Sequence, residues 1–486
     1  MRSFDLAVLV AYLAGITWFG AQFRGGQKTL KDYFLGGRDT PWWAIAFSIV
    51  SAETSTLTVI GTPAIAFGGN LGFLQVVFGY LLARIVIITL FLPLYFRGEM
   101  FTAYELMQRR FGHRIRKLTA GSFLALRAMA EGVRVFAISI VISIILGTGE
   151  IPSIILIVCL TLFYTFEGGM TAVIWTDVVQ MFLYVAGAII SLFVILGQIP
   201  LGWDHVYQMA SAANKFQVFD FRFEWSAEFF RRPYSFWAGV VGGAFLTTAS
   251  HGTEQLMVQR LLAARSEAEA RKALLTSWFV ILFQFTLFLM IGVILWVYYQ
   301  DNHLLVPEKL DRIYPKFIWE FLPTPVAGLV MAAILAAAMS NLSAALNALA
   351  STTIMDFVKP LSKIQRSEED YLKLAKWTTV GWGGILFLIA LVAQNVKSVL
   401  ESGLSIASIV YGSLLGVFLL GRLTKKPGEV AAMIGMVCGL AVMLYIYANT
   451  KIAFTWYVFI GTSVTLLTAL VASLFMKEKG VEHGGT

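Results

Sequence analysis

Apolar stretches long enough to cross a bilayer follow one another along almost the whole chain. They fall near residues 4–23, 42–68, 71–96, 118–147, 151–166, 171–199, 235–262, 273–299, 325–356, 375–394, 398–421, 428–448 and 453–476. A helix of about 20 apolar residues covers the hydrocarbon thickness. In lipid the backbone polar groups must be satisfied within each segment. The expected fold is therefore an all-α polytopic membrane protein with about 13 transmembrane helices. The charge content agrees: 14% of residues are charged, against about 25% in a soluble domain. The 38 Phe and 13 Trp suit membrane cores and interfacial belts.

The first stretch has no strongly basic start and no clear small-residue cleavage site, so it reads as a retained helix rather than a signal peptide. No segment resembles a separate soluble domain. The longest extramembrane stretch, 200–234, is aromatic and basic and is expected to hold a short surface helix. Cys159 and Cys438 lie in apolar runs and are read as inert core residues without a disulfide.

Lys and Arg counts give an orientation. One set of alternate loops carries 24 of the 37 Lys and Arg and the opposite set, with the N-terminus, carries 10. The richer side is expected in the cytoplasm. That puts the N-terminus outside and the C-terminus inside, in the plasma membrane, as an odd helix count requires. The net charge of +8 then belongs to cytoplasmic loops, and no nucleic-acid partner is implied.

Two spans are interrupted by polar residues. Ser51-Ala52-Glu53-Thr54-Ser55-Thr56 breaks one, and Thr247-Thr248-Ala249-Ser250-His251-Gly252-Thr253-Glu254-Gln255 breaks the other. Each opens a group of five helices once the first helix is set aside. Interrupted segments at matching places in two halves point to an inverted-repeat transporter with its site at the breaks. Elsewhere, Ser340, Asn341, Ser343 and Asn347 form a polar ladder in an apolar stretch, and Asp177 is a lone acid in another. Hydroxyls at helical spacing with one carboxylate suit a small hard cation. The same patches would also serve as plain interhelical packing.

At these residues the chain resembles the sodium:solute symporter family, which includes sodium–glucose, sodium–proline and sodium–sialic acid transporters. Four stretches carry the resemblance: Asp32–Arg38, Gly168–Gln180, Gly252–Gln255 with Val258-Gln259-Arg260, and Ala338–Leu349 leading to Met355-Asp356. The resemblance implies a LeuT-like fold of two inverted five-helix repeats. The expected layout is a leading helix and cytoplasmic loop (1–40), a first repeat (41–199), an extracellular loop (200–234), a second repeat (235–422), and two trailing helices with a tail (423–486).

It also implies sodium as the coupling ion and a set of positions. Backbone carbonyls of Ser51 and Thr54 and residues Ala337, Ser340 and Asn341 match the shared sodium site; Asn341 stands where a second hydroxyl is usual, and its amide oxygen can still ligate. Asp177 matches an acid that holds a further sodium in some members, with Ser343 on the same helix face as Ser340 and Ala344 in place of a hydroxyl. Solute-pocket positions are Glu53, Ser55, Thr58, Gln75, Ser250 and His251. An acid at the midplane must bind something or pair, so Glu53 either accepts solute groups or pairs His251 or an intramembrane arginine. Arg127, Glu131 and Arg134 read as an ion-pair ladder along one helix; alternatively Arg134 binds a carboxylate solute as a fork. Arg84 reads as structural.

The resulting expectation is a sodium-coupled symporter, not an enzyme, importing a small polar organic solute (sugar or polyol, organic acid or amino acid) by alternating access and functional as a monomer. Competing classes fare worse. His251 and Glu254 lack the second histidine of a zinc protease, and no HExxH is present. A sodium channel predicts an open polar pore, and a transporter-like sensor predicts an output domain beyond the roughly ten polar residues that follow the last helix.

Overall fold

The computed structural model describes residues 3–23, 28–98, 100–146, 148–307, 310–362, 366–393 and 399–476. Each of the thirteen apolar stretches is mostly helical over its described residues, with non-helical residues at 54–55, 71–73 and 253–254 and at some of the other ends. In chain order the main helices of the apolar stretches are α1 (Ser3–Ala21), α2 (Trp42–Glu53), α3 (Thr56–Gly68), α4 (Leu74–Val86), α5 (His113–Leu146), α6 (Glu150–Gly197), α7 (Phe236–Gly252), α8 (Gln255–Leu262), α9 (Glu267–Asp301), α10 (Val326–Thr352), α11 (Glu368–Val392), α12 (Val399–Leu423), α13 (Glu429–Asn449) and α14 (Tyr457–Phe475). Among the described residues nine helices are long and apolar enough to cross a membrane, or ten when the bent pair α2–α3 is taken as one span. The expected extramembrane helix is there, as Trp203–Ala212.

The breaks follow from local chemistry. α2 stops at Glu53 because Thr54 (φ −86°, ψ 101°) and Ser55 (φ −92°, ψ 168°) are extended. The Thr54 hydroxyl donates back to the Val50 carbonyl at 2.8 Å, a side-chain bond that competes with the helix. Thr58 Oγ1 accepts from the Ser55 amide at 3.3 Å and restarts α3, which leaves at 65° to α2. α7 stops at Gly252; Thr253 and Glu254 (φ −87°, ψ 132°) separate it from α8. The second break thus lies at the end of its polar run, past His251. α6 joins the 151–166 and 171–199 stretches through Gly169 at φ 54°, ψ −151°. A Cβ there would sit 2.8 Å from the Tyr33 carbonyl oxygen, so the close approach needs glycine.

α10 is the central helix, with 89% of its most apolar window buried, against 28% for α1, α11 and the Phe454–Phe475 span containing α14. α4 and α7 meet backbone to backbone through Gly79, Gly239 and Gly243, as small residues permit. The four stretches that carry the family resemblance also meet. Gln259 Nε2 donates to the Phe34 carbonyl (2.7 Å) and to Asn347 Oδ1 (2.5 Å). Thr40 bridges to Ala264, and Gly36 and Gly169 lie against Thr171 and Tyr33.

Two expectations change. Cys159 is exposed and Cys438 half-buried, both as free thiols; an apolar run in a membrane protein does not say which face turns to lipid. Arg260, one of the 24 Lys and Arg assigned to the richer set of loops, is 1% exposed and lies inside the bundle.

Candidate solute and cation site

A cavity of about 130 Å³ lies where the two breaks meet, with walls from α2, α3, α4, α5, α7, α8, α9 and α12. It collects Glu53, Ser55, Thr58, Arg134, Ser250 and His251, six of the seven residues expected to face a solute. Phe73, Tyr80, Phe285 and Tyr411 supply aromatic walls. Gln75 is elsewhere. Its amide donates to the Gly72 and Tyr234 carbonyls (3.1 and 2.8 Å) and accepts from the Asp220 amide at 3.0 Å, so it pins the 200–234 loop. In that loop Arg222 forks onto Asp220 and holds its carboxyl below the usual carboxylate range.

Glu53 has both of the partners weighed for it. Its Oε2 lies 3.1 Å from Arg84 Nη2 and 3.1 Å from His251 Nε2. Arg84, wholly buried, is itself held by the Leu274 carbonyl and Ser277 hydroxyl, each 3.1 Å from Nε. His251 Nδ1 faces Ser250 Oγ at 2.9 Å. Glu53 remains 12% exposed, and it is this residual opening that turns it to the cavity.

The ladder on α5 is present. Glu131 Oε2 takes Arg127 Nη2 and Arg134 Nη1, each at 3.0 Å. Arg127 Nη1 also reaches Glu254 at the second break (3.2 Å), and Tyr411 donates to that same carboxylate. The Nε atoms of Arg127 and Arg134 make no hydrogen bond. Asn341 joins this network: Nδ2 donates to Glu131 Oε1 at 2.6 Å, and Oδ1 accepts from Arg127 Nη2 at 3.3 Å.

The residue before it belongs to a different network. Ser340 Oγ donates to Asp177 Oδ1 at 2.6 Å and lies 2.7 Å from Ser51 Oγ, joining α10 to α2 just before the first break. Ala337 is buried one turn before it on α10. Asp177 accepts from Ser48 (2.5 Å) and Arg260 (2.8 Å) besides Ser340. Ser343 is not in that shell, because its hydroxyl donates to the Ser340 carbonyl at 2.9 Å. Thr54 Oγ1 accepts from Gln284 Nε2 at 2.6 Å.

Sequence reasoning missed Arg260, Gln284, Glu254 and Tyr411 as members of these networks. Arg260 looked like a loop cation at a helix end, although a guanidinium two residues past an apolar position in a broken span was a usable signal. Gln284 and Tyr411 sit in long apolar runs, with no charged residue nearby to mark them.

Two breaks facing each other, free helix ends beside a hydroxyl-bearing central helix, and a cavity between them that gathers their polar side chains make up a secondary-transporter site. The family is shown directly: the sodium:solute symporter family model matches residues 33–439, and the chain belongs to that family. It is a sodium-coupled solute symporter. The chain is 29% identical over 484 residues to the sodium/sialic acid symporter SiaT of Proteus mirabilis, covering 98% of this chain and 96% of that protein. It is 27% identical to the human sodium/iodide cotransporter, covering 91% of this chain and 68% of that one. Among solved structures it matches a substrate-bound, outward-open Na+-coupled sialic acid symporter with TM-score 0.88, at 27% identity and over 98% and 99% of the two chains. Mhp1, a nucleobase-cation-symport-1 transporter in a closed conformation, shares the fold with TM-score 0.60 at 12% identity, over 91% and 93% of the two chains.

Proposed function

We propose that this symporter imports a small polar organic solute, in a class spanning sugars, polyols, organic acids and amino acids, by rocking one helix group against another around the cavity at the breaks. The observation that carries this reading is the hydroxyl contact of Ser51 with Ser340 at 2.7 Å, beside the first break. Breaking α2 frees its last carbonyls from intrahelical bonds. Sodium held by the Ser51 and Thr54 carbonyls, Ala337, Ser340 and Asn341 would tie α2 to α10 and favour the outward-open, solute-ready state.

Glu53, Ser55, Thr58, Ser250 and His251 then meet the solute. Arg134, with one guanidinium nitrogen on Glu131 and its Nε free of hydrogen bonds, is the anchor for a carboxylate. That favours an organic acid over a neutral sugar. It accords with relatives named for sialic acid and monocarboxylate. Sodium moving down about 100 mV releases about 2.3 kcal/mol, and a tenfold gradient adds about 1.4. One ion thus supports roughly several-hundred-fold accumulation.

The remaining parts of the proposal are thirteen spans arranged as two inverted five-helix repeats, the N-terminus outside and the C-terminus in the cytoplasm of a plasma membrane, and a working monomer. The excess of Lys and Arg on alternate loops supports the orientation. The test is Ser340→Ala in reconstituted protein: the sodium concentration for half-maximal uptake rises while the fold survives. Unchanged sodium dependence would remove Ser340 from the site. A competition panel of sugars, sugar acids, amino acids and monocarboxylates identifies the solute.

A further inference from the structure

Ser340 and Asn341 are adjacent on α10, yet their side chains enter different buried networks. Ser340 binds Asp177 and Ser51. Asn341 binds Glu131 and Arg127, and Glu131 also holds Arg134 at the cavity wall. A sodium ion at the break would touch both residues. We propose that Asn341 and Glu131 form the positioning relay that couples the ion to the solute: sodium on Asn341 releases Arg134 into the cavity. The inference rests on the sodium site proposed above.

The physics runs through one amide. Asn341 Oδ1 accepts from Arg127 at 3.3 Å, a long contact at the weak end of the hydrogen-bond range. An ion on that oxygen and a guanidinium on the same oxygen are like charges in a medium that screens little, so the weaker partner leaves. The amide nitrogen keeps Glu131 Oε1, its 2.6 Å bond sharpened by the polarised carbonyl. Arg127 then leans on Glu131 Oε2, the oxygen it already shares with Arg134. Two guanidiniums compete for one oxygen. Arg127 has Glu254 as a second tether, whereas Arg134 has a single ionic bond and open cavity before it. Arg134 is the one displaced, toward the space where a carboxylate would sit. Its Nε, already without a hydrogen bond, is freed along with it.

A hydroxyl in place of Asn341 would lack this reach. Serine's one oxygen can ligate sodium and donate its hydrogen, but it sits a bond closer to the backbone than the carboxamide nitrogen that spans to Glu131 at 2.6 Å. The carboxamide has both, an acceptor for the ion and a donor for the relay.

The experiment reads Arg134 without needing a solute. Purified protein is treated with phenylglyoxal, which modifies accessible guanidiniums, in sodium or potassium chloride, and the rate at Arg134 is followed by peptide mass spectrometry. Sodium binding is followed in parallel by sodium-dependent thermal stabilisation. In the parent, sodium raises the Arg134 rate by about fivefold or more, the lower range of ordinary coupling. Glu131→Gln keeps the thermal stabilisation by sodium and loses that rise. A rise that persists in Glu131→Gln, or no rise in the parent, overturns the relay.

If Glu131→Gln does not fold, Asn341→Ser replaces it. Loss of the rise with sodium stabilisation retained supports the relay, and a rise that persists overturns it. Ser340→Ala separates the two readings. Persistence of both sodium effects in Ser340→Ala removes Ser340 from the sodium site while leaving the relay to stand or fall on Glu131→Gln.

Discussion

Glu53 shows how much one residue can reveal before any fold is known. An acid at the midplane must have a partner, and the chain offers only a histidine in the other broken span and a few intramembrane arginines. The structure uses both kinds at once, His251 and Arg84 on a single oxygen. What could not be read was that a twelve-percent opening leaves this pair facing the cavity. Gln75 is the counter-case. Its place after the first broken span suggested a pocket role, but its side chain points at the 200–234 loop, because a residue's register on a helix is set by what the helix packs against. We expect Glu53→Gln to weaken solute affinity at saturating sodium, measured by calorimetry, much more than it weakens sodium affinity without solute, with some spread by linkage. His251→Ala should act in the same direction. Affinities within about twofold of the parent for both would make the pair internal packing only. Thermal midpoints serve as the control, since removing the acid leaves Arg84 unpaired at a cost of about 3–5 kcal/mol.

At the scale of elements, the two breaks were visible as polar runs inside apolar ones, and the split of α6 was visible as a gap between two segments. The reason for that split was not: Gly169 is required by Tyr33, which lies more than a hundred residues earlier. The pairing of α4 with α7 was equally hidden, because glycines in a membrane helix do not announce their partner. A Cβ on Gly243 would lie 2.3 Å from the Val76 carbonyl oxygen, whereas a Cβ on Gly381 meets nothing within 4 Å. Gly243→Ala should therefore lower the thermal midpoint by an amount corresponding to about 1–3 kcal/mol, the usual cost of overpacking. Gly381→Ala, in the exposed face of α11, should be neutral or slightly stabilising by helix propensity. Equal midpoints for the two variants would show that α4 and α7 are not in close contact.

For the whole molecule the question is how many ions move with each solute. The resemblance pairs Asp177 with a second sodium, yet here Arg260 bonds that carboxylate at 2.8 Å and the Ser343 hydroxyl bonds the Ser340 carbonyl instead. A tethered guanidinium neutralises Asp177 and joins α8 to α2 and α6 through Ser48. We expect Asp177→Asn to lower thermal stability by about 3–5 kcal/mol, the cost of stranding a buried charge, while the ratio of sodium to solute flux in proteoliposomes stays at the parent value. A lower ratio with stability intact would return Asp177 to the role of ion ligand.

The amino-acid sequence alone determined the environment, the helical architecture, the places where helices break and the family, because lipid restricts backbone and polarity so severely that the pattern of apolar runs carries them. It also indicated most residues that face the cavity, since a polar group in an apolar run needs a reason to be there. The partners were decided by tertiary structure. That Asp177 lies against Arg260, that Asn341 reaches Glu131 and Arg127, and that Gln75 turns to the 200–234 loop depend on which helix faces come within hydrogen-bond reach. That distance is a property of the packed bundle, and spacing along the chain does not encode it.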